Sequence, residues 1–370
     1  MPVICFRRSR SPDLIGIAMR RLAFIAPCIA WLALWPTSAA LAQDRAGETG
    51  PADPQVQLFR IATGETSATY YAIGSEIAAA ISNPPGGARC DEGGDCGVPG
   101  LLAAALAAEG SVSNIAALRD GAIESGFAQA DIAYAAQIGA PGWRGSAQVP
   151  GLRAIASLYP EAVHLIVRGD AEIETITDLE GKRVSISQPG SGTQIDAQLV
   201  LQAAGLPDNR LKISELTTDE AVRELRAGQL DAFFMVGGWP VAGLTSLAGQ
   251  ADVKLLPIEG ALADRLIARH PFFRRETLPA RTYPGQKDPI QTVSVAALWL
   301  TMADQPDQII HDITRVLWND YTQDRLHQGH YAARAISRDA ALEGITVPLH
   351  PGAARYYRGA GLLADQPVQP

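Results

Sequence analysis

Past an apolar amino-terminal run, the hydrophobic positions of the chain gather in short blocks separated by polar segments of helical period. Apolar or alternating runs predict strands at 57–62, 123–129, 152–158, 164–167, 183–187, 232–236 and 292–300. Apolar residues that return every three or four positions predict helices at 70–81, 115–120, 194–204, 218–227, 241–248, 261–270 and 305–320. Strand and helix alternate, which is the pattern of an α/β protein with mostly parallel sheets. Residues 43–370 outnumber what one hydrophobic core usually holds, so two lobes are expected.

Two strands look like crossings between those lobes. The apolar run at 164–167 is followed by a polar stretch, 168–183, that starts a fresh βα unit. A turn-rich passage at 282–295 feeds the last apolar strand. With both strands crossing, 57–167 and 291–370 make the first lobe and 168–290 an inserted second one. Ligands of open α/β sheets bind beyond the carboxyl ends of the strands, so a cleft between the lobes is the expected site.

The amino terminus stands outside this fold. Arg20 and Arg21 precede an apolar run, Leu22 to Trp35, and Ala40 and Ala42 form a small-residue cleavage site, so 1–42 reads as an export signal cut after Ala42. Met19 sits where such a signal should start. The mature chain is then expected to begin near Gln43, with 43–56 a flexible lead-in. Of the 31 Lys and Arg and 39 Asp and Glu, the signal removes five Arg and one Asp, leaving 26 against 38, a net charge of −12. A chain this acidic has no general attraction to nucleic acid or to an anionic membrane. Cys5 and Cys28 leave with the signal, whereas Cys90 and Cys96 flank a Gly-rich loop and are expected to form a disulfide. A metal site there is the rival reading, and no third and fourth ligand sit nearby.

The candidate chemistry lies in two loops of Gly, Ser and Thr, at 59–72 and 184–195, each between a strand and a helix. Such loops present backbone N–H groups and hydroxyls at a positive helix end, which holds a small anion without a metal. Either loop alone reads equally well as a tight βα turn; the pair favours a cleft. Enzymatic signatures are missing: there is no G-x-S-x-G elbow, no Walker loop and no H-E-x-x-H, and Ser191 has no defensible base. His327 and His330 are a lone pair near the end of a polar helix, read as solvent-facing.

Six motifs in order, ATG…TYYAIG at 62–74, GSVSN at 110–114, FAQADIAYAA at 127–136, DLEGKRVSISQPGSGT at 178–193, DAFFMVGGWP at 231–240 and LPARTYPGQ at 278–286, resemble the TAXI family. Its members are solute receptors of tripartite ATP-independent periplasmic (TRAP) transporters. The resemblance implies a two-lobed type II periplasmic-binding-protein fold, a periplasmic location, no catalysis and no cofactor or metal. It also implies a small carboxylate solute, such as glutamate, glutamine or 2-oxoglutarate, handed to a TRAP membrane permease. By motif, the contacts fall on Thr63, Gly64 and Tyr70, on Ser111, Ser113 and Asn114, on Gln129 and Asp131, on Ser191, Gly192 and Thr193, and on Gly238, Trp239 and Pro240. Buried packing at a helix start is the rival role for Tyr70, a lobe-interface anchor for Trp239, and loop bracing for Gln129 and Asp131. The chain departs from the family at Ala68 and Thr69, where many members carry paired Gly, at Glu65, and in the Cys90 to Cys96 insertion. A binding protein of an ATP-driven importer, a sensor subunit for a membrane kinase and a periplasmic enzyme are the other readings.

Overall fold

The computed structural model describes residues 56–86, 97–140, 143 and 147–364. The export signal, most of the lead-in, the Cys90 to Cys96 pair and the end of the tail lie outside the described residues.

Ten strands form one mixed sheet. In chain order they are β1 (Gln57–Ala62), β2 (Leu101–Leu106), β3 (Ser125–Gln129), β4 (Leu152–Arg168), β5 (Arg183–Ser185), β6 (Lys212–Ser214), β7 (Ala232–Gly237), β8 (Val253–Leu256), β9 (Arg274–Leu278) and β10 (Ile290–Met302). The order across the sheet is β2-β1-β3-β10-β4-β7-β5-β6, with β8 on β4 and β9 on β10. Pairing is parallel at the two ends, among β2, β1 and β3 and among β7, β5 and β6. It is antiparallel around β4 and β10. The mostly parallel expectation therefore holds only at the ends, because the two long central strands run against their neighbours.

Those central strands explain the architecture. The expectation of two strands at 152–158 and 164–167 is corrected to one 17-residue strand, almost wholly buried. Pro160 lies between the two expected runs, and proline cannot donate to a ladder. The structure accommodates it beside a bulge, where Leu298 faces Ser157 but Ala296 faces Pro160. Along β4, Ile155 and Leu158 pack with Phe59, Ile73 and Trp299, while Val163, Leu165 and Val167 pack with Val200, Leu266 and Val293. One strand thus serves two hydrophobic clusters at its two ends.

The helices are α1 (Thr69–Ile81), α2 (Ser111–Arg119), α3 (Ala130–Ile138), α4 (Gly192–Ala203), α5 (Thr218–Arg226), α6 (Ala242–Gln250), α7 (Gly260–Arg269), α8 (Asp307–Leu317), α9 (Asp320–Gly329) and α10 (Pro351–Gly359). α1 buries Ile73, Ile77 and Ile81, a spacing of four that puts one stripe on the sheet. The helix expected over 305–320 is corrected to end at Leu317, where Asn319 caps a second helix by accepting from the Thr322 N–H at 2.7 Å. The α8 end is fixed by Trp318, whose indole N–H donates to Tyr357 Oη at 3.0 Å; that hydroxyl donates to the Ile155 carbonyl at 2.9 Å. His327 and His330 are not simply solvent-facing. Their ring nitrogens pair with the Ile336 carbonyl and the Ala332 N–H, respectively. No described helix is long and apolar enough to cross a membrane.

Candidate functional site

Each of the two Gly/Ser/Thr loops ends a parallel strand and opens a helix, β1 into α1 and β5 into α4. The starts of α2 and α5 reach the same place, and four helix N-termini converge on a cavity of about 60 Å³. By the usual allowance of about 10–15 Å³ per water, this holds a few waters or a compact solute. Of the sequence-predicted residues, Gly64, Tyr70, Ser111, Gln129, Ser191, Gly192 and Thr193 line it.

Close backbone approach builds the walls. Gly110 opens α2 at φ +128°, and the Val112 and Ser113 N–H groups donate to the Gly190 carbonyl at 3.0 and 3.1 Å. A Cβ on Gly192 would stand 1.7 Å from Gln129 Oε1 and 2.8 Å from Ser111 Oγ, so only glycine lets α4 come this near β3. Ser191 caps α4, accepting from the Gln194 N–H at 3.2 Å. The Thr193 hydroxyl accepts from the Val236 N–H at 3.1 Å and fastens the helix to β7. First-turn amides have no acceptor inside their own helix, so Thr69, Tyr70, Gly192 and Thr193 bring donors and a positive dipole end to the cavity.

The remaining predicted residues lie outside the lining and brace it. Thr63 is fully buried and donates to the Leu106 carbonyl at 2.7 Å, joining the loop after β1 to the end of β2. Asn114 donates to the carbonyls of Thr63 and Phe127 at 2.6 and 2.8 Å, and Ser113 to that of Gly110 at 2.9 Å. Gly238 accepts from the Thr69 hydroxyl at 2.6 Å, Trp239 stacks on Tyr331 with ring centroids 5.3 Å apart, and a cis peptide joins Trp239 to Pro240. Asp131 sits behind the lining, with its carboxyl against that of Asp196 in α4.

Sequence reasoning noted Glu65 but missed Glu161 and Glu109. All three line the cavity, and among the described residues no Lys, Arg or His does. Glu161 is 2 % exposed and accepts from the Tyr70 hydroxyl at 2.6 Å. Burial pushes its carboxyl up to about 8, against the Tyr70 hydrogen bond and with help from the charge of Asp131. Burial likewise raises Asp131 to about 6, and raises Asp196 well above the carboxylate range, with Asp131 beside it. None of these three acids forms a salt bridge among the described residues. The signal was legible: Glu161 is the one carboxylate inside the apolar run of 152–167. Glu65 is accounted for locally, since both its oxygens accept from the Thr218 N–H at 3.2 Å at the head of α5. Beside it, the Ser67 hydroxyl donates to Asp219 at 3.0 Å.

The described residues contain no cluster of three or more His, Cys, Asp or Glu placed to hold a metal ion. A larger hollow of about 280 Å³ runs past Tyr159, Phe272, Arg274 and Arg275, but both arginines are exposed and already face Glu343 and Asp264.

A family model described as NMT1-like family matches residues 61–361. Similar solved structures include the alkanesulfonate-binding protein SsuA from Xanthomonas axonopodis pv. citri bound to MOPS, at 16 % identity over 84 % of this chain and 96 % of that one, TM-score 0.44. Another is PhnD1 from Prochlorococcus marinus in complex with methylphosphonate, at 10 % identity over 84 % and 100 %, TM-score 0.47. A third is the ligand-binding component of an ABC-type import system from Staphylococcus aureus, at 10 % identity over 83 % and 93 %, TM-score 0.46.

Proposed function

The chain belongs to the NMT1-like family, and on that premise we propose that it is an exported solute receptor, not an enzyme, which captures a small polar solute and passes it to a membrane importer. The observation that carries the reading is the convergence of four helix starts on one small cavity, with the first-turn amides of α1 and α4 among its lining. The jaws are 57–167 with 291–370 on one side and 168–290 on the other. On this reading the contacts of Glu65 with Thr218, Ser67 with Asp219, Thr69 with Gly238 and α2 with Gly190 belong to a closed form. Solute shifts the opening equilibrium by its differential affinity for that form, and the importer recognises the closed shape.

Two importers fit. One is ATP-driven, as in the ABC-type system that names the Staphylococcus aureus component. The other is a TRAP permease driven by an ion gradient, which the six sequence motifs favour. The two are separated by the neighbouring gene, an ATPase or a large multi-span permease, and by whether uptake in reconstituted vesicles needs ATP or a sodium gradient. The solute class proposed from the motifs is a small carboxylate, held by the α1 and α4 loops. Ser191→Ala with Thr193→Ala is expected to weaken binding at least tenfold with the fold intact by circular dichroism. Unchanged affinity would remove the α4 loop from the site.

A further inference from the structure

The acids around the cavity ask for a partner that the protein does not supply. A carboxyl group at 2 % exposure with no cationic side chain near it is costly to ionise, and it is satisfied either by a proton or by a cation from outside. Glu161 lines the cavity and, among the described residues, has only the Tyr70 hydroxyl as a hydrogen-bond donor. An independent feature points the same way. The Gln129 side chain is also 2 % exposed and lines the cavity, and its Oε1 is an acceptor without a donor. Two acceptors thus line the cavity beside the first turns of α1 and α4, Glu161 on the Tyr70 hydroxyl and Gln129 Oε1 next to Gly192, where the amides offer donors and a positive dipole. An ammonium group brings three N–H donors and a positive charge, which matches these two acceptors.

We propose that the solute carries an ammonium group seated on Glu161 and Gln129, with its anionic end on the first-turn amides of α1 and α4, so that Glu161 selects amines over oxo analogues. This rests on the solute-receptor reading and narrows its carboxylate class to amine-bearing members. The exchange is balanced: the Glu161 carboxylic acid and R–NH3+ give a carboxylate–ammonium pair and one H+ to solvent. Because burial holds Glu161 at about 8, the empty site carries that proton at pH 7 and loses it when the amine docks. The other titratable groups around Glu161 are Tyr70, Tyr159, Asp131 and Asp196; both tyrosines are raised far above neutrality and do not exchange.

The test uses matched pairs: L-alanine with pyruvate, L-glutamate with 2-oxoglutarate, L-leucine with 4-methyl-2-oxopentanoate. Each is titrated calorimetrically into the chain from Gln43 at pH 7 in two buffers of different ionisation enthalpy. The inference expects one pair in which the amine binds about 100-fold tighter than the oxo acid, since a site built to hydrogen-bond a group rejects the analogue lacking it. It also expects about one proton released per amine bound, falling away by pH 9. Glu161→Gln is expected to lose about 100-fold in amine affinity and to abolish the release. Equal affinity for amine and oxo acid, or amine binding without proton release in the wild type, overturns the inference and leaves the receptor reading standing. Silence of both series, with sulfonates, phosphonates, sugars and polyamines silent too, overturns the receptor reading and this inference with it.

Discussion

The buried Glu161 makes the stability of the empty protein fall as pH rises, in a window where most proteins are flat. Its carboxyl is pushed up to about 8 in the folded chain, against an ordinary value of 4.5. Between these values the folded state holds a proton that the unfolded state has released, so stability decreases with pH. The contribution is complete below the unfolded value and is lost as pH climbs through 8. At about 1.4 kcal/mol per pH unit over the gap, the whole effect is about 5 kcal/mol, of which about 2 to 3 kcal/mol falls between pH 6 and 8. Asp131, raised to about 6, acts in the same direction but is largely finished by the start of that interval. The assay is urea unfolding of wild type and Glu161→Gln at half-unit steps from pH 6 to 8.5. Glutamine copies the shape of the protonated acid and titrates nothing, so the stability difference between the two chains should swing by about 2 to 3 kcal/mol in favour of the variant. A difference that stays flat across the interval would show that Glu161 is not held protonated, and the electrostatic account of the cavity would fail.

Three other substitutions probe the same structure. Gly192→Ala puts a methyl where Gln129 Oε1 and Ser111 Oγ already stand, and should cost about 1–3 kcal/mol in urea unfolding and at least tenfold in solute affinity by calorimetry. Glu65→Ala removes the anion at the head of α5 and should lower stability by about 0.5–2 kcal/mol while raising the solute dissociation rate in stopped-flow fluorescence. Tyr357→Phe strands the buried Trp318 indole and the Ile155 carbonyl, and should cost about 2–4 kcal/mol without changing affinity, because it lies far from the lining residues in the α8 and α10 packing.

Much of the fold was written in the hydrophobic pattern, and the exceptions have identifiable causes. Runs such as 232–236, with Phe233 and Phe234 buried, can form only a core strand. The Leu101–Leu106 strand was not expected, since LLAAAL has the composition of a helix; it forms a strand because it lies in parallel register on β1, from Gln57 opposite Leu101 to Ala62 opposite Leu106. Pro160 stands inside β4, and a neighbouring bulge lets the strand continue past it. Helix starts were missed by two to four residues at α2 and α4 because Gly110 and Gly192 discourage a helical reading, although each belongs to the turn that lets two segments touch.

The site was legible in its donors and not in Glu161 and Glu109. Gly, Ser and Thr loops before helices announce amides and hydroxyls, and seven of the residues named from them meet at the cavity. Thr63 and Asn114 belong to the same motifs but brace the backbone from behind, because the Thr63 hydroxyl and the Asn114 amide nitrogen donate to carbonyls within the fold, and Asp131 lies behind the lining beside Asp196. Glu161 comes from a strand rather than a loop, and only the long register of β4 through the middle of the sheet carries it to the helix starts.

The central claim is that this cavity holds a small solute. The measurement that tests it most directly is a thermal-shift screen of wild type and Gly192→Val, both from Gln43, against amino acids, organic acids, sulfonates, phosphonates, sugars and polyamines. A ligand at a hundredfold excess over its dissociation constant stabilises the native state by about 2.7 kcal/mol, which moves the unfolding temperature visibly. The account predicts that one chemical class stabilises the wild type and leaves the folded variant unmoved. Stabilisation that survives Gly192→Val, or no stabilisation by any class, would contradict it.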